Sequence, residues 1–169
     1  MTRHDFLVKW GVYVLALLPV WLLETYVFAR LPLFGVRPML LPLAVAAVSV
    51  LEGAAAGAGF GLGVGALAVA CGGAEAWQIL VMMAAGLGTG LLSQYLLRQD
   101  LLGCLLCSAL NLAAVDGVRI GLRLLAGSAG LEPMLRLAGA ELLCSLLFVF
   151  PVYGIFLWVF RRVPKSTHF

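Results

Sequence analysis

The chain has 169 residues, of which 63% are hydrophobic and 11% charged, with a net charge of +3 and a mean hydropathy of +1.09. Soluble domains are roughly half apolar and about a quarter charged, so this composition excludes a soluble globular domain. It also excludes disorder, and four cysteines are too few for a disulfide scaffold. The sequence therefore predicts an all-α integral membrane protein of one domain, a bundle of about six spans of ~20 residues each.

Polar residues, glycine and proline divide the chain into six apolar segments. The first follows a charged N-terminus and is too long for a secretory signal, so we expect it to stay attached. The apolar stretch from Met39 to Ala70 is interrupted at Glu52 and Gly53, where we divide it. The resulting second segment is too short to cross a ~30 Å hydrocarbon core by itself. Either the span includes residues before Met39, or the bilayer is thinner there, or the segment is re-entrant. The predicted spans are about residues 10–28, 38–51, 54–71, 77–97, 101–125 and 135–160.

The distribution of basic residues predicts that both ends lie in the cytoplasm. With the N-terminus inside, three basic residues fall outside: Arg30, Arg37 and Arg136. The cytoplasmic side then carries six: Arg3, Lys9, Arg98, Arg161, Arg162 and Lys165. Cytoplasmic loops are enriched in lysine and arginine, so this excess favours the inside orientation.

Glycines recur every four residues in the third segment, at Gly53, Gly57, Gly61 and Gly65. Small residues at this spacing let two helix backbones approach closely within lipid. The same device is repeated at Gly86 and Gly90 in the fourth segment and at Gly117 and Gly121 in the fifth. Two interpretations stay open, namely packing within the bundle and a surface for another membrane protein.

The fifth segment carries three charges on one helical face, Asp116, Arg119 and Arg123. An unpaired charge in the bilayer core costs about 3 kcal/mol or more, so these residues should face the bundle, pair, or snorkel. Arg119 and Glu141 lie equally far from the following loop, which predicts that they pair. The predicted intramembrane polar cluster comprises Asn111, Asp116, Arg119, Arg123 and Glu141. It is either a structural salt bridge or a ligand site, and Glu24 is either a further partner or a snorkelling carboxylate.

No residue pattern indicates catalysis, a metal site or a cofactor. Cys104 and Cys107 lie in an apolar helix without a second pair, and both histidines lie at the chain ends, at His4 and His168. The serines of the apolar segments have no neighbouring base to activate them. We therefore expect a protein that is not an enzyme.

Three stretches carry a resemblance to a known family. They are Arg37 to Leu41 (RPMLL), the glycine-rich stretch from Glu52 to Gly63, and Pro151 to Tyr153 ahead of the basic pair Arg161 and Arg162. Together they resemble the MreD family of bacterial rod shape-determining membrane proteins. The chain departs from that family at Ala66, where many members carry an aspartate.

The resemblance implies a non-enzymatic component of the cell-elongation machinery in the bacterial cytoplasmic membrane. Its implied partners are MreC, the actin-like MreB filament, and a RodA-type peptidoglycan polymerase with its transpeptidase. Assembly would use lateral helix contacts, with the face of Gly57, Gly61 and Gly65 as the close-packing element. The implied cytoplasmic contacts or lipid anchors are Arg98, Arg161, Arg162 and Lys165.

The chain also looks like the substrate-binding subunits of energy-coupling-factor vitamin importers, whose fold MreD proteins are thought to share. Under this alternative a small-molecule pocket would open outward. It would be lined by Asn111, Asp116, Arg119 and Glu141.

Overall fold

The computed structural model describes residues 3–28, 30, 36–72, 74–95, 101–127 and 131–162. Within these ranges the chain is helical and forms no strand. The first helix, α1, spans Arg3–Leu22 and continues as a π-helical turn over Leu23–Phe28. The other helices are α2 (Leu41–Glu52), α3 (Ala54–Ala70), α4 (Trp77–Tyr95), α5 (Leu101–Leu125), α6 (Leu131–Leu147) and α7 (Val149–Arg162).

Two described helices are long and apolar enough to cross a membrane, Leu7–Phe28 with 22 residues and Leu101–Leu125 with 25. The pair α6 and α7, bent by 45°, makes a third if it is counted as one span. The apolar helices α2 and α3 are shorter, with 12 and 17 residues. The predicted all-helical class is thus confirmed, and two or three helices could span a membrane, whereas the prediction of six spans is not confirmed.

Helix α2 lies at the centre of the bundle. Every residue from Leu41 to Leu51 is buried, and α2 contacts α1, α3, α4, α5 and α7. Pro42 lies in the first turn of α2, where backbone N–H groups have no acceptor within the helix, so the missing N–H of proline costs no hydrogen bond. Gly53 ends the helix with a positive φ of 92°, which favours glycine. Because α2 is enclosed by protein, its length does not have to match a bilayer.

The two ends of α2 define two ends of the molecule. Its C-terminal residue Glu52 contacts Lys9 of α1, and we call this side the Lys9 end. Its N-terminus contacts Glu24 of the π-helical turn, and we call that side the Glu24 end.

Helices α3 and α4 form the tightest antiparallel pair, and glycine makes their approach possible. A methyl group placed on Gly57 would lie 2.7 Å from the carbonyl oxygen of Gly86, and one on Gly65 would lie 2.7 Å from Cα of Ile79. Gly61 and Gly90 meet the facing backbone in the same way. The glycine face of α3 is therefore used inside the bundle, which favours the first of the two interpretations of this pattern.

The glycines of α5 do not pack against another described helix, so for them the first of the two interpretations is wrong and the second stays a prediction. Gly117 is exposed, and a methyl group on either Gly117 or Gly121 would meet nothing within 4 Å. The spacing is the same as in α3, but no described helix lies against this face.

The last predicted span is two helices rather than one. Helix α6 ends at Leu147, and α7 begins at Val149 with a bend of 45° between them. Pro151 explains the break, because its ring clashes with the carbonyl group four residues earlier, at Leu147, and it has no N–H to bond it.

Candidate functional site

A partly open cavity of about 590 Å³ lies at the Glu24 end. Its walls come from the end of α1, the start of α2, the connection between α3 and α4, and the end of α5. The polar side chains of the lining are Trp21, Glu24, Thr25, Glu75, Trp77, Gln78, Arg119 and Arg123. The apolar side chains include Met39, Leu41, Pro42, Met82 and Leu122. Cavities of 300–1,000 Å³ with a few polar groups among apolar walls are typical of small-molecule sites.

Glu24 caps the N-terminus of α2. Its Oε2 accepts hydrogen bonds from the backbone N–H of Leu40, at 2.8 Å, and of Leu41, at 2.7 Å. The residue at the N-cap position, Leu40, cannot supply a side-chain acceptor. A carboxylate is also favoured there by the positive end of the helix dipole. Neither role predicted for Glu24 is correct, because it neither joins the Arg119 cluster nor snorkels.

Arg119 of α5 contacts two carboxylates, Asp116 on its own helix and Glu141 on α6. Its guanidinium lies 2.5 Å from Oδ1 of Asp116 and also bonds Oε2 of Glu141. The structure thus brings together Asp116, Arg119 and Glu141, as predicted from the helical spacing of the first two and from the equal distance of Arg119 and Glu141 from the loop between α5 and α6. The two carboxylates share one guanidinium, and Oδ2 of Asp116 is buried without a hydrogen-bond partner in the described part of the chain. One guanidinium therefore serves both acidic side chains of this cluster.

Only part of the predicted polar cluster faces the cavity. Arg119 and Arg123 line it, whereas Asn111 is buried and donates from Nδ2 to the carbonyl oxygen of Pro42 at 3.4 Å. Nearby, Oγ of Ser145 accepts the backbone N–H of Met39 at 2.9 Å. Asn111 of α5 and Ser145 of α6 thus hold the start of α2 and the residues before it in place. Of the pocket lining predicted under the importer alternative, only Arg119 lines this cavity, which is lined by Glu24, Glu75 and two tryptophans instead of Asn111, Asp116 and Glu141.

A second polar cluster lies at the Lys9 end, and the sequence did not predict it. Nζ of Lys9 lies 2.5 Å from Oε2 of Glu52, and the hydroxyl of Tyr13 donates to Oε1 of Glu52 at 2.7 Å. Lys9 is only 6% exposed, so this basic residue, counted above by its side of the membrane alone, is packed within the bundle. The available signal was the i, i+4 spacing of Lys9 and Tyr13, together with a single acidic residue in a long apolar stretch.

The basic residues near the C-terminus are exposed at the end of α7. Arg161 and Arg162 are both exposed, and the Arg162 guanidinium carbon lies 4.2 Å from the centre of the Trp158 ring. Such cation–π contacts hold a guanidinium in a fixed position. Arg98 and Lys165, the other two predicted contacts, lie outside the described residues.

The paired cysteines of α5 are both 0% exposed. The thiol of Cys104 contacts the hydroxyl of Ser108 at 3.9 Å, and that of Cys107 contacts the carbonyl oxygen of Thr89 at 4.0 Å. In the described ranges no three histidine, cysteine, aspartate or glutamate side chains form a group that could hold a metal ion. The thiols contribute to the packing of α5 as small buried side chains do.

No protein-family model, curated protein or solved structure matches this chain. The resemblance to the MreD family therefore stays a prediction.

Proposed function

We propose that the chain is a non-enzymatic, MreD-type component of the bacterial cell-elongation machinery. The observation that carries the proposal is where the resembling residues lie. Leu40 and Leu41 of the first stretch receive the Glu24 cap, and Glu52 of the second forms the buried ion pair with Lys9. The residues that resemble the family thus fix both ends of the central helix.

In this proposal the chain crosses the cytoplasmic membrane six times, with both ends in the cytoplasm. The crossings would be α1 with its π-helical turn, α2 with the residues before it, α3, α4, α5, and the bent pair α6 and α7. The Lys9 end would then face the cytoplasm, and the cavity would open on the outer side. The two short helices can cross together with longer ones because their backbone groups are bonded internally, and α2 is also covered by protein.

The partners would bind to surfaces other than the α3 glycine face, which α4 already covers. Leu106 and Leu110 of α5 are 51% and 53% exposed, and Leu143 and Leu147 of α6 are both 68% exposed. These apolar faces suit transmembrane helices of MreC and of the RodA-type polymerase with its transpeptidase. The exposed pair Arg161 and Arg162 suits the cytoplasmic MreB filament or anionic lipid.

Depletion in the native bacterium tests this proposal. We expect rod-shaped cells to become round, the wild-type gene to restore the rod, and tagged protein to copurify with MreC. Helix α6 offers a matched pair of variants, since Leu143→Trp alters an exposed face whereas Arg136→Gln changes only an exposed charge pair with Glu132. Unchanged cell shape on depletion, together with no recovery of MreC, would contradict the proposal.

The cavity favours a second candidate, the substrate-binding subunit of an energy-coupling-factor importer. Such a subunit needs a ligand pocket between its helices, and the described structure has one at the Glu24 end. Copurification separates the two candidates, because an import subunit should bring down an ATPase module rather than MreC.

A further inference from the structure

We infer that the cavity at the Glu24 end binds a zwitterion, a molecule or lipid headgroup that carries both an ammonium and an acidic group. The inference does not depend on the cell-elongation role, and under the import alternative it would name the ligand class. It follows from the charges of the lining, which include two carboxylates, Glu24 and Glu75, and two guanidiniums, Arg119 and Arg123. A ligand that carries both charges can pair with a carboxylate and with a guanidinium of this lining at the same time.

The two carboxylates of the lining, Glu24 and Glu75, suit an ammonium group. Both bonds to α2 use Oε2 of Glu24, and the Glu24 side chain also lines the cavity. Trp21 and Trp77 line the same cavity, and tryptophan faces attract ammonium groups. Trp77 is held in place because its Nε1 donates to Oε2 of Glu75 at 2.9 Å.

The guanidinium groups of the lining suit an acidic group, and Arg123 is the residue that would bind it. Arg119 is already shared by Asp116 and Glu141, so little of its charge is left for a ligand. Arg123 lies one turn further along α5, is exposed and lines the cavity. A guanidinium has five N–H donors, so it can bind a phosphate or carboxylate in addition to another partner.

The apolar lining gives the ligand room for a hydrocarbon part. Met39, Leu41 and Met82 line the cavity together with the polar groups. The same chemistry can come from phosphatidylethanolamine, whose chains would extend into the membrane, or from a free zwitterion. Both carry an ammonium and an acidic group, and the experiment separates them.

The lipid arm uses the full-length protein in nanodiscs of equal parts phosphatidylethanolamine and phosphatidylglycerol, with retained lipids counted by native mass spectrometry. Both lipids carry a phosphate, but only the first carries an ammonium. We expect the wild type to retain phosphatidylethanolamine preferentially. Arg123→Gln should lower retention of both lipids about tenfold, and Glu24→Gln should lower only phosphatidylethanolamine by about that factor. Glutamine still offers an oxygen to the α2 cap, so the second variant keeps the fold.

The soluble arm measures the thermal stabilisation of the detergent-purified protein by glycerophosphoethanolamine. If glycerophosphoethanolamine stabilises the wild type but not Arg123→Gln, the ligand is a free zwitterion. If the wild type retains phosphatidylethanolamine preferentially but the soluble probe does not stabilise it, the ligand is the lipid headgroup. Arg136→Gln, an exposed charge outside the cavity, is the control and should match the wild type in both arms. Equal retention of the two lipids by the wild type with no effect of the soluble probe would overturn the inference, as would identical behaviour of Arg123→Gln and Arg136→Gln. Either result would leave the depletion experiment unaffected.

Discussion

Replacing Glu52 by glutamine tests whether the buried ion pair with Lys9 stabilises the fold. The side chains of Lys9 and Glu52 are 8% and 9% exposed, and Nζ lies 2.5 Å from Oε2. Glutamine still offers an oxygen to the Tyr13 hydroxyl, but it leaves the ammonium group buried without a counter-charge. Removing one partner of such a pair costs about 3 to 5 kcal/mol. At roughly 2 to 4 °C per kcal/mol for a chain of this size, Tm should fall by about 6 to 20 °C.

A double-mutant cycle separates the pair from the effect of each residue alone. Adding Lys9→Met to Glu52→Gln removes the uncompensated charge, so most of the lost stability should return. The measurement is Tm of the purified protein in one detergent, and Glu132→Gln at the exposed pair with Arg136 should change it little. If the double variant loses the sum of the two single losses, Lys9 and Glu52 do not interact energetically and the reasoning is refuted.

Three further predictions use the same thermal measurement. Gly61→Ala should lower Tm because its methyl group would meet the α4 backbone. Gly63→Ala has open space around it, so Tm should stay equal or rise slightly, since alanine stabilises a helix by up to about 1 kcal/mol relative to glycine. Equal effects of the two variants would show that α3 and α4 are not in close contact. Arg119→Gln should destabilise more than Glu141→Gln, because only the first leaves two carboxylates without a cation; the reverse order would contradict this charge distribution. Glu24→Ala should cost about 1 to 2 kcal/mol through loss of the α2 cap and Glu24→Gln less, so equal losses would show that the cap is unimportant.

The parts of the site that sequence could predict are those fixed by local geometry. Asp116 and Arg119 lie on one helical face, so their contact follows from the helix repeat alone. Glu141 could be added because a short connection sets the depths of α5 and α6. By contrast, Lys9 and Glu52 are 43 positions apart in the chain. No local sequence pattern predicts that the end of α2 packs against the first turns of α1.

The glycine pattern shows why spacing does not decide contact. Gly57 and Gly61 have the same spacing as Gly117 and Gly121, yet only the first pair faces a neighbouring backbone. The difference lies in which face of each helix the bundle encloses, and that depends on the arrangement of all the helices. Pro151 is another example, because its position in an apolar segment was visible but the resulting bend of 45° depends on the packing of α7.

The two polar ends of α2 solve one physical problem in different ways. A short helix within a bundle has unpaired N–H groups at its start and unpaired carbonyl groups at its end, and both are costly away from water. At the Glu24 end a carboxylate from α1 accepts two of these N–H groups. At the Lys9 end the α2 backbone turns at Gly53, whose N–H bonds the carbonyl oxygen of Ser49 at 2.9 Å, and the adjacent Glu52 carboxylate is neutralised by Lys9. Since α1 supplies the partner at both ends, the position of α2 is fixed relative to α1, and the cavity wall that begins at Leu41 is fixed with it.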